Sequence, residues 1–482
     1  MQNFKFSSAT DVSARGIATP TTMRQTLSDK SSDKKVDKTK NLLQGGIILS
    51  IGGLITKILG AIYRIPLTAV LGTEGIGVYQ TAFPVYCILL TFSSTGVPSA
   101  IAKLVASGYG ERSVLKKSLS VFIPIGILGT VLMSAFAYPI AKLQGNSSAF
   151  FAYLTLSPSV LIVSVISCLR GYFQGKLKVV PTALSQIIEQ GVKLIVGLSL
   201  CLLITGSPAL KGGLACLAVS VSEICALIYL YLLYKKDYKP SLDNPILPFN
   251  RLISTLLPIT LSTILLPLSR VFDSFTIINF LKVYTDKATA LYGLYTGGVE
   301  SISGVPVAIC YGFSTIILPQ IAKFLAKGEF ENARTNCFKG IAICLFLSTA
   351  MGLILFTFPT QITRVLFNAL TTYEKSIAKR LIALSFFSVV GLSLLQTLTS
   401  CIIAFNKPYF PCVSLAIGIT TKIFLQVFLL KNPNLNIFGS LYSDIACYFV
   451  AVFLNLLYII FIINKERRNN ANNFSRNRNS NR

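Results

Sequence analysis

An apolar run without a single charged residue occupies residues 340–358, GIAICLFLSTAMGLILFTF. About twenty apolar residues in a helix are enough to cross the hydrocarbon core of a bilayer. Similar runs recur between residues 42 and 463, and 52% of the 482 residues are hydrophobic whereas 13% are charged. Soluble domains average about 25% charged residues. The composition therefore excludes a soluble enzyme and a disordered protein, and it predicts a polytopic membrane protein.

Twelve spans can be placed along the chain. We expect α-helices, because a helix satisfies its own backbone hydrogen bonds in lipid, and the short alternating segments of a membrane β-barrel are not seen. The predicted fold is all-α, with about twelve transmembrane helices in two parallel lobes of six. The predicted spans are 42–65, 79–102, 117–139, 150–169, 181–204, 212–234, 252–280, 291–322, 340–358, 381–404, 409–430 and 438–463.

The distribution of Lys and Arg predicts the orientation of these spans. With both termini in the cytoplasm, the inner segments carry 30 of the 44 basic residues, the outer connections carry 9 and the spans carry 5. Cytoplasmic loops are enriched in Lys and Arg, so both termini are predicted to be cytoplasmic. The net charge of +26 then reflects topology and an attraction to anionic lipids, and nucleic-acid binding is not expected.

The polar ends and the spans divide the chain into five segments. These are a disordered cytoplasmic tail (1–41), an N-terminal six-helix lobe (42–235), a cytoplasmic linker (236–251), a C-terminal six-helix lobe (252–464) and a disordered basic tail (465–482). The connections are too short for an extramembrane catalytic domain, which argues against a glycosyltransferase or polymerase. The chain has no His, and neither a metal nor a cofactor is predicted. We expect it to act as a monomer.

An internal repeat relates the two lobes. Three short motifs recur in the same order with offsets of 216 to 233 residues: Gly77-x-Tyr79 with Gly293-x-Tyr295, Ile101-Ala102-Lys103-x-x-Ala106-x-Gly108 with Ile321-Ala322-Lys323-x-x-Ala326-x-Gly328, and Ser167-Cys168 with Ser400-Cys401. Because six spans separate the copies, both lobes have the same orientation. Transporters use this architecture, with the substrate site between the lobes near the membrane midplane.

Basic residues inside the spans are the first candidates for a binding site. Charges in lipid cost a few kcal/mol, so they are expected to face the space between the lobes. Lys57, Arg64 and Arg270 are predicted to bind an anionic headgroup. Lys57 and Arg64 are seven positions apart and share one face of a helix. The alternatives are snorkelling of Arg64 to the outer interface and an intrahelical pair between Arg270 and Asp273.

Acidic and polar residues complete the predicted site. Asp273, Glu300 and Glu189 are candidates to pair with these bases or to bind H+ or Na+ as a coupling ion. Glu300 precedes Gly304 and Pro306, which are expected to interrupt the eighth span. Tyr79 and Gln80 are candidate sugar contacts.

Several other charged residues are given structural roles. Glu189 and Lys193 have the spacing of an ion pair within one helix, and this is the favoured interpretation for Lys193. Arg170 is interpreted as a cytoplasmic anchor. No partner is evident in the sequence for Glu223, Lys422 or Asp444.

Two stretches resemble the stage V sporulation protein B family of the multidrug/oligosaccharidyl-lipid/polysaccharide exporter superfamily. They are Ala61-x-Tyr63-Arg64-Ile65-Pro66-Leu67, continued by Leu71-Gly72-x-Glu74-Gly75-x-Gly77-x-Tyr79-Gln80, and Arg170-Gly171-Tyr172-Phe173-Gln174-Gly175, continued by Pro181-Thr182-Ala183-x-Ser185-Gln186-x-x-Glu189-Gln190. The superfamily includes lipid II flippases and polysaccharide translocases. The resemblance spans residues 41–464. It implies a flippase that moves a polyprenyl-diphosphate-linked glycan across the bacterial cell membrane, for peptidoglycan, spore cortex or polysaccharide synthesis.

The same resemblance implies that Lys57, Arg64 and Arg270 line the central cavity, as basic residues do in related flippases. The alternative function is cation-coupled multidrug antiport on the same fold, which would use a central carboxylate such as Asp273 or Glu300. A scaffold without transport activity would tolerate the loss of every buried charge.

Overall fold

The computed structural model describes residues 20–91, 96–237, 247–368 and 370–480. Seventeen α-helices are assigned in this part of the chain, and a 3-10 turn at Ser147–Ala149 and a π-helical turn at Leu294–Val299 lie between helices. The helices are α1 Pro20–Thr91, α2 Val97–Ala106, α3 Glu111–Ala135, α4 Ala137–Leu143, α5 Phe150–Leu156, α6 Pro158–Gly175, α7 Val180–Leu203, α8 Pro208–Asp237, α9 Phe249–Thr263, α10 Leu265–Leu281, α11 Ala288–Gly293, α12 Glu300–Ala326, α13 Phe330–Thr357, α14 Pro359–Leu366, α15 Thr372–Ala404, α16 Tyr409–Leu430 and α17 Phe438–Ser480.

Ten helical segments in the described residues are long and apolar enough to cross a membrane, where the sequence predicted about twelve. One difference lies in α1, which joins the first predicted span to most of the second. The loop expected at 66–78 is helical except at Gly72, where the backbone has a φ of 69° and kinks. Glycine adopts this left-handed conformation without strain. The structure therefore has a kink at Gly72 within one long helix, where the sequence predicted a loop.

The seventh predicted span, 252–280, is the other difference. It is divided into α9 and α10, each of them shorter than a full span. Pro267 has no N–H to bond the carbonyl of Thr263, four residues earlier, and α9 ends at Thr263. Together the two pieces cover the predicted segment.

The ends of the chain also differ from the prediction of disordered tails over 1–41 and 465–482. Residues 20–41 continue α1, and residues 465–480 continue α17 as helical backbone. Extending a helix that has already formed needs no new nucleus, so polar sequence can follow an apolar helix. Residues 1–19 lie outside the described part of the chain.

The structure gives the two copies of the main repeat the same helix ending. α2 ends at Ala106 and α12 ends at Ala326, and the glycines two residues later, Gly108 and Gly328, have φ values of 96° and 76°. In both copies the next residue donates a backbone hydrogen bond to the carbonyl five positions earlier, Tyr109 to Leu104 and Glu329 to Phe324. This is a Schellman-type cap with glycine in the left-handed region.

Each lobe holds two buried apolar clusters. α1 is the element that joins the lobes, because it packs on α7 and α8 of the first lobe and on α11 and α12 of the second. The all-α, two-lobed membrane fold predicted from the sequence is confirmed.

Candidate functional site between the lobes

Two cations in the N-terminal lobe contact aromatic rings and form no ion pair with any described residue. The guanidinium carbon of Arg64, on α1, lies 5.1 Å from the ring centre of Phe83. The ammonium nitrogen of Lys193, on α7, lies 5.5 Å from the ring centre of Tyr63, and Lys193 is 7% exposed. Cation–π contacts stabilise such charges partly, but they do not neutralise them. Arg64 and Lys193 therefore present net positive charge inside the lobe.

Polar atoms without partners occur on residues that neighbour these two cations in sequence or space. The hydroxyls of Tyr63 and Tyr79 and the side-chain carbonyl oxygen of Gln190 are buried and have no hydrogen-bond partner among the described residues. Native proteins satisfy most buried polar groups, so each exception requires an explanation. A bound ligand with hydroxyl groups would satisfy all three.

Glu189 leaves Lys193 without a bridging partner because it pairs with Arg170. The two side chains are 2.9 Å apart and both are buried, and Arg170 also donates to the hydroxyl of Ser185 at 3.0 Å. Two predictions are therefore wrong: Arg170 is not a cytoplasmic anchor, and Glu189 does not form its ion pair with Lys193. Arg170 can reach across from α6 to α7 because its guanidinium fits both a carboxylate and a hydroxyl.

One thiol lies within electrostatic range of bases from both lobes. Cys87, on α1, is near enough to Arg64, Lys193 and Arg270 for their charges to act on it. Arg64 and Lys193 belong to the N-terminal lobe, whereas Arg270 lies on α10 of the C-terminal lobe. The structure thus places two of the three predicted bases, and Lys193 with them, near the same thiol. The side chain of Lys57, the third, lies outside the described residues.

The C-terminal lobe contains a cluster of five charged side chains. Lys422 bridges Asp273 at 2.6 Å and Asp444 at 2.7 Å, and all three are 2–3% exposed. Arg270 pairs with Glu300 and is 4.0 Å from Asp273. With three acids and two bases, this cluster has one negative charge in excess when all groups are ionised.

One further hydrogen bond and one unpartnered oxygen define the electrostatics of this cluster. The hydroxyl of Tyr295 donates to Asp444 at 2.6 Å. One carboxylate oxygen of Asp273 is buried and has no hydrogen-bond partner among the described residues. The predicted pair of Arg270 and Asp273 is thus the longest ion pair of the group, and Asp273 is held mainly by Lys422. Sequence inspection gave Lys422 and Asp444 no partner because Asp273 and Tyr295 lie about 150 residues away along the chain, and because Lys422 and Asp444 lie on different helices.

The helix interruption predicted at Gly304 and Pro306 is wrong, and the irregular turn lies before Glu300 instead. The π-helical turn at 294–299 precedes Glu300, and α12 continues through Gly304 and Pro306. Such π turns are rare and often occur at functional sites. The widened turn carries Tyr295, and Glu300 begins the helix that follows.

A set of contacts joins the lobes around the end of α11 and the π-helical turn that follows it. The side-chain amide of Gln80 donates to the carbonyl of Thr296 at 2.7 Å, and the hydroxyl of Tyr292 donates to the carbonyl of Gln80 at 3.0 Å. Thr73 donates to Glu374, whose side chain also completes the capping box of Thr371 at the start of α15. Gln80 and Tyr79 are buried here, so Gln80, predicted to contact sugar, bonds the opposite lobe in this conformation.

Comparison with known proteins agrees with this architecture. The sequence model of the family described as polysaccharide biosynthesis protein matches residues 42–325, more than half of the chain. Stage V sporulation protein B of Bacillus subtilis (strain 168) is 29% identical over 349 residues, which are 68% of this chain and 67% of that protein. Lipid II flippase MurJ of the same organism is 26% identical over 433 residues, 82% of this chain and 78% of that protein.

Solved structures with the same fold include two membrane transporters. An inward-facing multidrug resistance MATE family transporter of the MOP superfamily has a TM-score of 0.72 at 13% identity, covering 88% of this chain and 99% of the other. Lipid II flippase MurJ in an inward closed conformation has a TM-score of 0.69 at 16% identity, covering 86% of this chain and 87% of the other. The chain belongs to the polysaccharide biosynthesis protein family, and it shares the fold of these membrane proteins.

Proposed function

We propose that the chain is a flippase and not an enzyme, and that it moves an undecaprenyl-linked glycan precursor from the inner to the outer leaflet of the bacterial cell membrane. The substrate would be lipid II or a related polysaccharide unit, used for peptidoglycan, spore cortex or polysaccharide synthesis. The relatives named as a lipid II flippase and a sporulation protein support this proposal.

The observation that carries the proposal is the pair of unpaired cations in the N-terminal lobe. A diphosphate between a prenyl chain and a sugar is a compact anion, and Arg64 and Lys193 supply positive charge in a partly dry site where such a contact is strong. Lys57 lies on the same helix as Arg64 and belongs to the proposed site. The unpartnered hydroxyls of Tyr63 and Tyr79 and the oxygen of Gln190 suit the hydroxyl-rich sugar attached to that anion.

Alternating access would complete the cycle. With both termini in the cytoplasm, as the distribution of Lys and Arg favours, the contacts around Gln80 lie toward the outer face and close that side. The headgroup would enter from the inner leaflet while the prenyl chain stays in lipid, and separation of these contacts would release it outside. An inside-negative potential favours export of an anion by about 2.3 kcal/mol per charge per 100 mV.

A rescue assay tests the proposal. The chain is expressed in bacteria depleted of their own lipid II flippase, and outer-leaflet lipid II is measured by an externally added enzyme that cleaves it. We expect restored cleavage. If the chain is inserted in the membrane but cleavage is not restored, lipid II is not the substrate, and the assay is repeated with other polyprenyl-linked glycans.

The C-terminal cluster favours cation binding as a second element of the mechanism. Its excess acid and the unpartnered oxygen of Asp273 suit a coupling ion such as H+ or Na+. The same feature is what a cation-coupled drug antiporter would need. The two functions differ in the N-terminal lobe, because a pair of unpaired cations repels an organic cation. Cells that gain drug resistance but no lipid II flipping would favour antiport.

A further inference from the structure

A basic cavity of about 470 Å³ lies beside α14. Three of its lining side chains are cations, and others are hydroxyls or amides. They are Arg364, Lys375 and Lys379 with Thr360, Asn368 and Ser376. These three cations belong to the connection 359–380, which holds four of the nine basic residues predicted on the outer face. Cytoplasmic loops usually carry such charge, so its concentration here is unexpected.

The cations of this cavity are available for a ligand. Arg364, Lys375 and Lys379 form no ion pair with any described residue. Lys375 donates to the backbone carbonyl of Asn368 at 2.8 Å, which holds it at the cavity. The neighbouring acid, Glu374, accepts from Thr73 and Thr371 and caps α15. The cavity therefore has a net positive charge and several hydrogen-bond donors.

Exposed apolar side chains lie next to the cavity-lining residues along the chain. Val365, on α14, is 76% exposed and Phe358, just before it, is 50% exposed. A short helix with a basic side and exposed apolar residues is typical of the membrane–water interface. At that depth the anions within reach are the phosphates of lipid headgroups, whose acyl chains would cover these apolar side chains.

We propose that this cavity is a binding site for the phosphate headgroup of an anionic lipid at the outer interface of the membrane. Arg364 and Lys379 bind the phosphate oxygens, Lys375 adds a third positive charge, and the hydroxyl of Thr360 donates to a remaining oxygen. The outer position depends on the proposed orientation of the chain. The binding itself is separate from flipping, and a chain that flips nothing would still bind the lipid.

Native mass spectrometry of the purified full-length chain tests the site, with phosphatidylglycerol and phosphatidylcholine titrated in detergent. The double substitution Arg364→Gln with Lys379→Gln removes two cavity cations. The matched control, Lys282→Gln with Lys431→Gln, removes two exposed cations from other predicted outer connections. A third variant, Arg364→Lys with Lys379→Arg, keeps the charge and checks that the cavity still folds.

We expect wild type to prefer phosphatidylglycerol, the cavity variant to lose affinity for it by about tenfold or more, and the control and charge-keeping variants to stay close to wild type. Equal binding of both lipids by wild type would overturn the site, as would an equal loss in the control. Short prenyl diphosphate should displace the lipid better than inorganic pyrophosphate. Equal displacement by pyrophosphate would overturn the lipid assignment and indicate a site for free phosphate.

Discussion

Gly77 of the N-terminal lobe and Gly293 of the C-terminal lobe lie backbone to backbone. A Cβ on Gly293 would be 2.4 Å from the nitrogen of Gly77 and 2.2 Å from the carbonyl oxygen of Thr73, and one on Gly77 would be 2.3 Å from the carbonyl oxygen of Thr289. These glycines occupy matching positions of the internal repeat. The contact between the lobes is therefore built from the same position in each half, and only glycine permits it.

Substitution Gly293→Ala is expected to open this contact. The added methyl cannot fit without moving backbone, and overpacking of this kind costs about 1–3 kcal/mol, which shifts a two-state equilibrium by about tenfold. We expect more labelling of native Cys87 by a membrane-impermeant maleimide added outside, with the label located by peptide mass mapping. Cys87 is partly buried and lies near the central cations.

The control for this experiment is Gly304→Ala on α12, where a Cβ would meet no atom within 4 Å. It should leave labelling of Cys87 unchanged. Equal labelling of the Gly293→Ala and Gly304→Ala proteins would show that the glycine contact does not keep the outer side closed.

Arg170→Met is expected to destabilise the chain strongly. It leaves Glu189 buried without its partner, and breaking a buried pair from one side costs about 3–5 kcal/mol. The double substitution with Glu189→Met should recover most of this loss, because it removes both charges. Arg334→Met, which breaks an exposed pair with Glu331, should cost less than about 1 kcal/mol. Thermal unfolding in detergent measures all three, and similar losses for Arg170→Met and Arg334→Met would contradict this account.

Asp273→Asn is expected to remove the cation dependence of transport. The substitution removes a carboxylate with an unpartnered oxygen, while Lys422 still forms its ion pair with Asp444. The measurement is the flipping rate in proteoliposomes against Na+ concentration and against pH. Glu331→Gln, which neutralises an exposed acid, is the control. If Asp273→Asn keeps the same dependence as the control, the coupling ion binds elsewhere.

The sequence predicted the membrane class and the two-lobed all-α fold. These features follow from local hydropathy and from motif order. The binding role of Arg64 and Arg270 stays a prediction. The helix endings at Gly108 and Gly328 explain why the repeat could be recognised in the sequence. Each copy of the motif includes the glycine that terminates its helix.

The pairing of charges was harder to predict because it depends on packing between helices. Glu189 has a base four residues along its own helix, yet it bonds Arg170 from the preceding helix. Lys422 forms ion pairs with Asp273 and Asp444, which lie on two other helices. Spacing along one helix shows which pairs could form, whereas the helix crossings decide which do form.

Flipping of lipid II by purified protein in proteoliposomes tests the central claim most directly. The test variant carries Arg64→Gln with Lys193→Gln. The control carries Lys142→Gln with Lys282→Gln, which removes two exposed cations from predicted outer connections. Loss of two charge-assisted contacts, each worth about 1.5–3 kcal/mol, should lower the flipping rate by tenfold or more, while wild type and control stay equal. Wild-type flipping by the Arg64→Gln, Lys193→Gln protein would contradict the proposed site.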